Sequence, residues 1–328
     1  MLDKRSNQIE DQPFLRGVMT GITATFIAYS LFLNPNDTQS NAPVEVTPAD
    51  SIPNICPKKQ VDVVPEPELQ PIEFAIDEVQ LSMYTELLNQ AQTFDEAQNL
   101  LNQVFSRWDY SVHIAEVPTL SSQDFETRGS DIEHTPELIT QQLVNVSSIH
   151  ILESLGKIPE TLMYITRGTD MYLTMGAQGE SGGYAGLYAK DENGKPIVLV
   201  GIGPADPSGE IFEHEVIGHN LFFRLCGDNI GHNDNELASF NPPSWVYTRA
   251  DVPNDYWRGI TASRYGATNT AEDTADAFPE LLVLPLGRTC LRDEVTEPYI
   301  SPICNKCDLL IQRVAVVSPQ TAAYLARS

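Results

Sequence analysis

The chain has 328 residues, 41% of them hydrophobic, enough to bury one large core or two modest ones. Its formal charge of −25, from 20 Lys and Arg against 45 Asp and Glu, provides no basic stripe to neutralise phosphates and argues against a nucleic-acid partner. Such an excess of acid describes a self-repelling, water-facing surface and is silent on substrate.

Residues 17–33 (GVMTGITATFIAYSLFL) are uncharged and mostly apolar, a length at the short end for a membrane-spanning helix. Lys4, Arg5 and Arg16 precede this stretch, and no further Lys or Arg follows until Lys58. That asymmetry places residues 1–16 in the cytoplasm and the rest of the chain outside it. The expectation is an uncleaved signal anchor, hence a single-pass protein of the cell membrane whose C-terminal part is extracytoplasmic. A cleaved signal peptide is the rival, but no small-x-small site follows the apolar run. Residues 34–71, with Pro65-Glu66-Pro67-Glu68 among them, cannot bury a core and read as an extended tether. Residues 72–328 form the folded domain.

Within that domain, apolar residues recur at steps of three and four from Ile76 to Trp108, which predicts helix. A short strand is expected over Tyr110 to Val117, helix over Pro136 to Leu155, and strand over Leu162 to Thr166. Two β-rich segments, Tyr184 to Ala189 and Pro196 to Ile202, flank the turn Asp191-Glu192-Asn193-Gly194 and predict a hairpin. A long helix opens near Pro207 or Ser208 and runs to about Leu225, and another covers Ala271 to Leu284. This order predicts an α+β domain with an active-site helix beside a small mixed sheet.

The long helix carries His214-Glu215-Val216-Ile217-Gly218-His219. Two imidazoles with a carboxylate beside the first are what a hydrolytic zinc site requires, namely ligands plus a base for water. In the usual motif the histidines are four residues apart and share one helix face. Here they are five apart, and on an ideal α-helix the second would be rotated away by roughly 100°. A one-residue π-bulge restores the shared face, and Gly218 would ease the distortion.

The five-residue spacing resembles the zinc motif of the dipeptidyl peptidase III family. That family's second motif, of Glu-Glu-x-x-Ala-Glu type, is similar to Ala271-Glu272-Asp273-Thr274-Ala275-Asp276. The match places Glu272 on the zinc-binding glutamate and Asp276 on the trailing acid. It covers only these dozen residues, so dipeptide release is not carried over. The segment from Ser263 to Asp273 is also similar to anthrax lethal-factor-like peptidases, in which a tyrosine seven residues before the ligand glutamate faces the metal. Tyr265 and Glu272 have that separation, although that branch keeps the four-residue histidine spacing. The shared implication is a zincin-like fold of gluzincin type.

On that resemblance His214, His219 and Glu272 are expected to bind Zn²⁺, leaving a fourth position open. Glu215 would act as general base. Tyr265 would donate to the developing oxyanion. Asp276 would hold the far nitrogen of a ligand histidine, and Asp273 faces elsewhere. The implied activity is hydrolysis of a peptide or protein substrate, with the substrate laid along a strand edge, either Ile197 to Gly201 or Tyr184 to Tyr188. A non-catalytic zinc-binding envelope protein with a degenerate peptidase fold is the alternative.

Cys226, Cys290, Cys304 and Cys307 suggest one or two disulfides outside the cytoplasm, or a second zinc site made of four cysteines. The CxxC formed by Cys304-Asn305-Lys306-Cys307 has no thioredoxin-like surroundings to support redox work. His113, His134, His150 and His232 carry no motif.

Overall fold

The computed structural model describes residues 72–120, 139–174, 186–202, 208–226, 234–247, 260–263, 265–283 and 302–326. The expected anchor at 17–33 and tether at 34–71 lie outside them, and no described helix is long and apolar enough to cross a membrane.

The first helical stretch is two helices, α1 (Glu78–Gln90) and α2 (Phe94–Phe105), followed by a 3₁₀ turn at Ser106–Trp108. The break lies at Thr93, whose hydroxyl accepts from the Glu96 N–H while the Glu96 carboxylate accepts from the Thr93 N–H. Asp77 and Gln80 form the same reciprocal cap on α1. Each box satisfies donors that a helix start leaves bare, so two short amphipathic helices are favoured over one long one. Strand β1 (Ser111–Ile114) follows, then α3 (Gln141–Leu155), which opens on the Thr140 cap.

The strand expected over Leu162 to Thr166 is instead helix α4 (Glu160–Ile165). A short apolar run does not declare its period, and here Pro159 stands at the helix start while Leu162 and Met163 both turn inward. The strand of this region is β2 (Asp170–Thr174), which the sequence pattern did not flag. The hairpin holds as β3 (Gly186–Lys190) and β4 (Pro196–Gly201). Asp191 Oδ1 accepts from the N–H of Asn193 at 2.8 Å and of Lys195 at 2.7 Å, and Gly194 takes φ +79°, where a Cβ would be strained.

The sheet is mixed, in the order β1-β2-β4-β3, with β1, β2 and β4 parallel and β3 antiparallel at the end. One face, with Val112, Ile114, Met171, Leu173, Val198 and Val200, packs into the main helical core around Phe105, Trp108 and Phe212. The other face holds a smaller cluster of Leu187, Ala189, Ile197 and Leu199 under Leu120. β4 is buried on both sides because it is an inner strand, which explains its unbroken apolar run.

A continuous helical rod follows, from α5 (Ser208–Phe212) through a π-helical segment (Glu213–Asn220) to α6 (Leu221–Cys226). It crosses beneath β3 and β4 and packs along α8 (Thr270–Val283). The short α7 (Asn235–Ala238) and α9 (Pro302–Ala315) pack on α8, and α10 (Pro319–Ala326) packs on α9. The domain is α+β, with a small mixed sheet beside a central helix.

Candidate metal centre

The extra residue between His214 and His219 is absorbed in a π-helical stretch, as expected, and that stretch extends over the whole of Glu213–Asn220. The segment ends with Leu221 donating its N–H to the Val216 carbonyl, five residues back. In such winding five residues make a little over one turn, as four do in an α-helix, so both imidazoles return to one face. Their ring centroids are 4.8 Å apart at an interplanar angle of 81°.

Gly218 also sets how closely the rod approaches α8. A Cβ there would lie 2.6 Å from Ala275 Cα, 2.7 Å from Ala275 O and 2.8 Å from Ala275 Cβ. Gly218 and Ala275 therefore let the rod and α8 touch backbone to backbone. That approach brings Glu272, three residues before Ala275, up to the imidazoles.

Glu272 Oε2 lies 3.1 Å from His214 Nε2 and 3.1 Å from His219 Nε2. Tetrahedral zinc with bonds of about 2.0–2.2 Å separates its ligand atoms by about 3.3 Å, close to this spacing. Glu215 also brings an oxygen within 4.8 Å of the two imidazole nitrogens. Of the two carboxylates, Glu272 is at ligand distance from both rings, so it completes the triad better and Glu215 is left beside it.

His214 Nδ1 is 2.8 Å from Asp276 Oδ1. With Nδ1–H donated to Asp276, a neutral His214 presents its Nε2 lone pair toward Glu272 and His219, the arrangement in which a cation belongs at the centre. Without a metal, burial opposes a proton on His214. The hydrogen bonds to Asp276 and Glu272 and the charges of Asp276 and Glu215 outweigh burial and hold its pKa well above the ordinary histidine value. Burial likewise pushes the Glu272 carboxyl up, but the imidazoles of His219 and His214 outweigh it and hold that carboxyl well below the usual range. The cluster thus favours positive charge between its three ligand atoms. Among the described residues, His214, Glu215 and His219 form the group of His, Cys, Asp and Glu side chains close enough together to hold a metal ion, and Glu272 stands at 3.1 Å from both of its imidazoles.

Asp276 is held in turn by Ser263, whose hydroxyl donates to Asp276 Oδ2 and accepts from the N–H of Tyr265 at 2.9 Å and of Gly266 at 3.1 Å. One relay therefore sets both the ligand His214 and the backbone of Tyr265. The Tyr265 ring is half exposed at the rim, 5.9 Å from the His214 ring between centroids. Asn269 caps α8 by accepting from the N–H groups of Ala271 and Glu272 at 2.9 and 3.0 Å.

Several supports had no motif to announce them. Asn220, next to His219, donates to Thr169 Oγ1 at 2.9 Å and accepts from Arg224, tying the π-helical segment to the start of β2. Phe223 flanks His219 and stacks on Tyr188 of β3, with centroids 4.9 Å apart. Gly186, the first residue of β3, is pressed against Glu215: a Cβ there would sit 2.6 Å from Glu215 Cγ and Oε1. These are pairings in space, which spacing along the chain does not reveal.

Of the two candidate substrate edges, β4 lies between β2 and β3 and has no free side, which leaves β3 as the end strand among the described residues. Cys304 and Cys307 keep their thiols, no disulfide joins two described cysteines, and no described cysteine belongs to a metal-holding group. Cys226 is disulfide-bonded, so the expected disulfide bonding holds there and not at Cys304 or Cys307, and with two free thiols and one bonded sulfur the four-cysteine zinc site is corrected. Cys290 lies outside the described residues, as do His134 and His232. His113 stacks on Tyr172 at 4.5 Å, away from the centre.

No family model matches the sequence, and no curated protein matches it. Among solved structures, a chain from Bacteroides caccae described as a "putative zinc-binding metallo-peptidase" aligns with 77% of this chain and 94% of its own length. The identity is 14% and the TM-score 0.34, too low for the likeness to establish a shared fold.

Proposed function

We propose that the chain is a membrane-anchored, extracytoplasmic zinc metallopeptidase of gluzincin type with a zincin-like catalytic domain. Residues 17–33 would serve as its anchor and 34–71 as its tether. The observation that carries this reading is the single Glu272 oxygen 3.1 Å from both imidazole nitrogens, with the far nitrogen of His214 on Asp276.

His214, His219 and Glu272 would hold the metal. Zinc bound there would supply Lewis acidity, lowering the pKa of water and polarising the scissile carbonyl. Glu215, buried under Gly186 and adjacent to His214, would take the proton from the attacking water and return it to the leaving amine. Tyr265 at the rim would donate a hydrogen bond to the carbonyl oxygen as it gains charge. The backbone of β3 runs directly over Glu215, so a peptide added along that end strand would pass its carbonyls across the centre.

The test separates chemistry from metal binding. Zinc-loaded full-length chain is incubated with unstructured peptides beside Glu215→Gln. Hydrolysis should fall by about 10²–10⁴-fold in the variant with zinc content unchanged. A parent that binds zinc but cleaves nothing would point instead to a non-catalytic zinc-binding envelope protein.

A further inference from the structure

The CxxC segment lies at the start of α9, and the lysine inside it reaches α8 at the residue after Glu272. The Lys306 side chain is fully buried, and its Nζ donates to Asp273 Oδ2 at 2.5 Å and to the Ile260 carbonyl at 2.6 Å. The Tyr247 hydroxyl donates to the same Asp273 oxygen at 2.6 Å. Asp273 Oδ1 is buried with no hydrogen-bond partner.

Asp273 directly follows Glu272 on α8, and successive helical residues point about 100° apart. Glu272 faces the imidazoles while Asp273 faces α9. Ile260 begins the segment that leads to Ser263, which holds Asp276 and the Tyr265 backbone. One ammonium group therefore joins three pieces: α9, the turn of α8 carrying Glu272, and the segment that sets Asp276 and Tyr265.

Stability does not account for this arrangement well. Burying two full charges costs several kcal/mol per ion, and an apolar pair of similar volume is often as stable or more so. The bare Asp273 oxygen adds to the cost. A directional buried pair does supply registry, which apolar packing leaves looser. The face opposite Asp273 is fixed by the Gly218–Ala275 contact, so α8 is held between two unlike fastenings.

We propose that Lys306 is a positioning residue for the metal centre, acting through Asp273 to fix the turn of α8 that presents Glu272. The proposal rests on the metal-centre reading above. It assigns the CxxC segment a scaffolding role in place of redox or zinc work of its own.

The experiment measures the zinc dissociation constant and melting temperature of the full chain, alongside a charge-free double variant, Lys306→Met with Asp273→Leu. Removing both charges avoids leaving an uncompensated buried ion, so the double variant should melt near the parent. Its zinc affinity should be weaker by about 10–100-fold, and the cobalt-substituted absorption spectrum should shift with the altered ligand geometry. A zinc dissociation constant within about threefold of the parent would overturn the proposal and leave the pair purely structural. Should the double variant not fold, Tyr247→Phe decides by the same threshold, read beside Asn241→Ala, since the former removes one donor to the same Asp273 oxygen together with the acceptor of the Asn241 amide. Parent and variants alike without zinc would overturn the metal-centre reading and this proposal together.

Discussion

The two ends of the described domain bury different things. Up to β2 the buried polar residues are Ser147, Ser148, Ser154, Thr166, Thr169 and Thr174, with no Asp, Glu, His, Lys or Arg among them. From the central rod onward the protein buries Glu213, Glu215, His219, Asp234, Asp273, Lys306 and Arg313. The first region is an ordinary core, in which Phe105 packs edge to face against Trp108 and, across the boundary, against Phe212 of the rod. The second carries desolvated charge wherever it can brace the candidate centre. Arg313, for example, is bidentate to Asp234 at 2.6 and 3.1 Å and ties α9 to α7. Buried charge is a weak source of stability and a good source of fixed geometry. The apolar region is therefore expected to govern folding, and the charged region to govern the metal.

That division can be broken most forcefully at Trp108, which is fully buried in the apolar region. Trp108→Ala should cost about 3–5 kcal/mol in chemical denaturation while the folded fraction keeps its zinc stoichiometry. Loss of zinc from folded Trp108→Ala would show that the two regions are not separable. At the other end, Asp276→Asn keeps the shape of the relay but weakens its hold on His214. It should lower zinc affinity by about 10–100-fold with little change in melting temperature, as read by chelator competition. A large fall in melting temperature with unchanged affinity would reverse the assignment. Gly218→Ala lies on the boundary, since its contact is apolar but sets the approach of Glu272. A cost of about 1–3 kcal/mol is expected together with weaker zinc binding, because Ala275 offers backbone atoms that cannot step aside. Normal zinc affinity in that variant would mean α8 can retreat without moving its ligand.

Much of this was legible in the sequence because it is local. The Asp191–Gly194 turn, the helical period of α2 and the β-rich runs of β3 and β4 all act over a few residues. The residues that gather at the candidate centre were legible for the same reason: His214 and His219 lie about one turn apart, and Glu272 and Asp276 likewise. Local pattern is ambiguous where period and length do not decide, as in α4, whose short apolar run fits a strand equally well, and in β2, which has no distinctive alternation. It also understates the π-helical segment, since one inserted residue gives no sign of how far its strain is spread. What joins the two motifs was not legible at all. The contacts of Gly218 with Ala275, Gly186 with Glu215 and Lys306 with Asp273 connect residues far apart in the chain, and no local pattern announces which of them will meet.

The central claim is a single metal held by His214, His219 and Glu272, and zinc titration of the full chain beside Glu272→Ala tests it most directly. Tight binding of one zinc by the parent, lost in a folded Glu272→Ala, is the predicted result. Equal zinc in both proteins, or none in either, would contradict it.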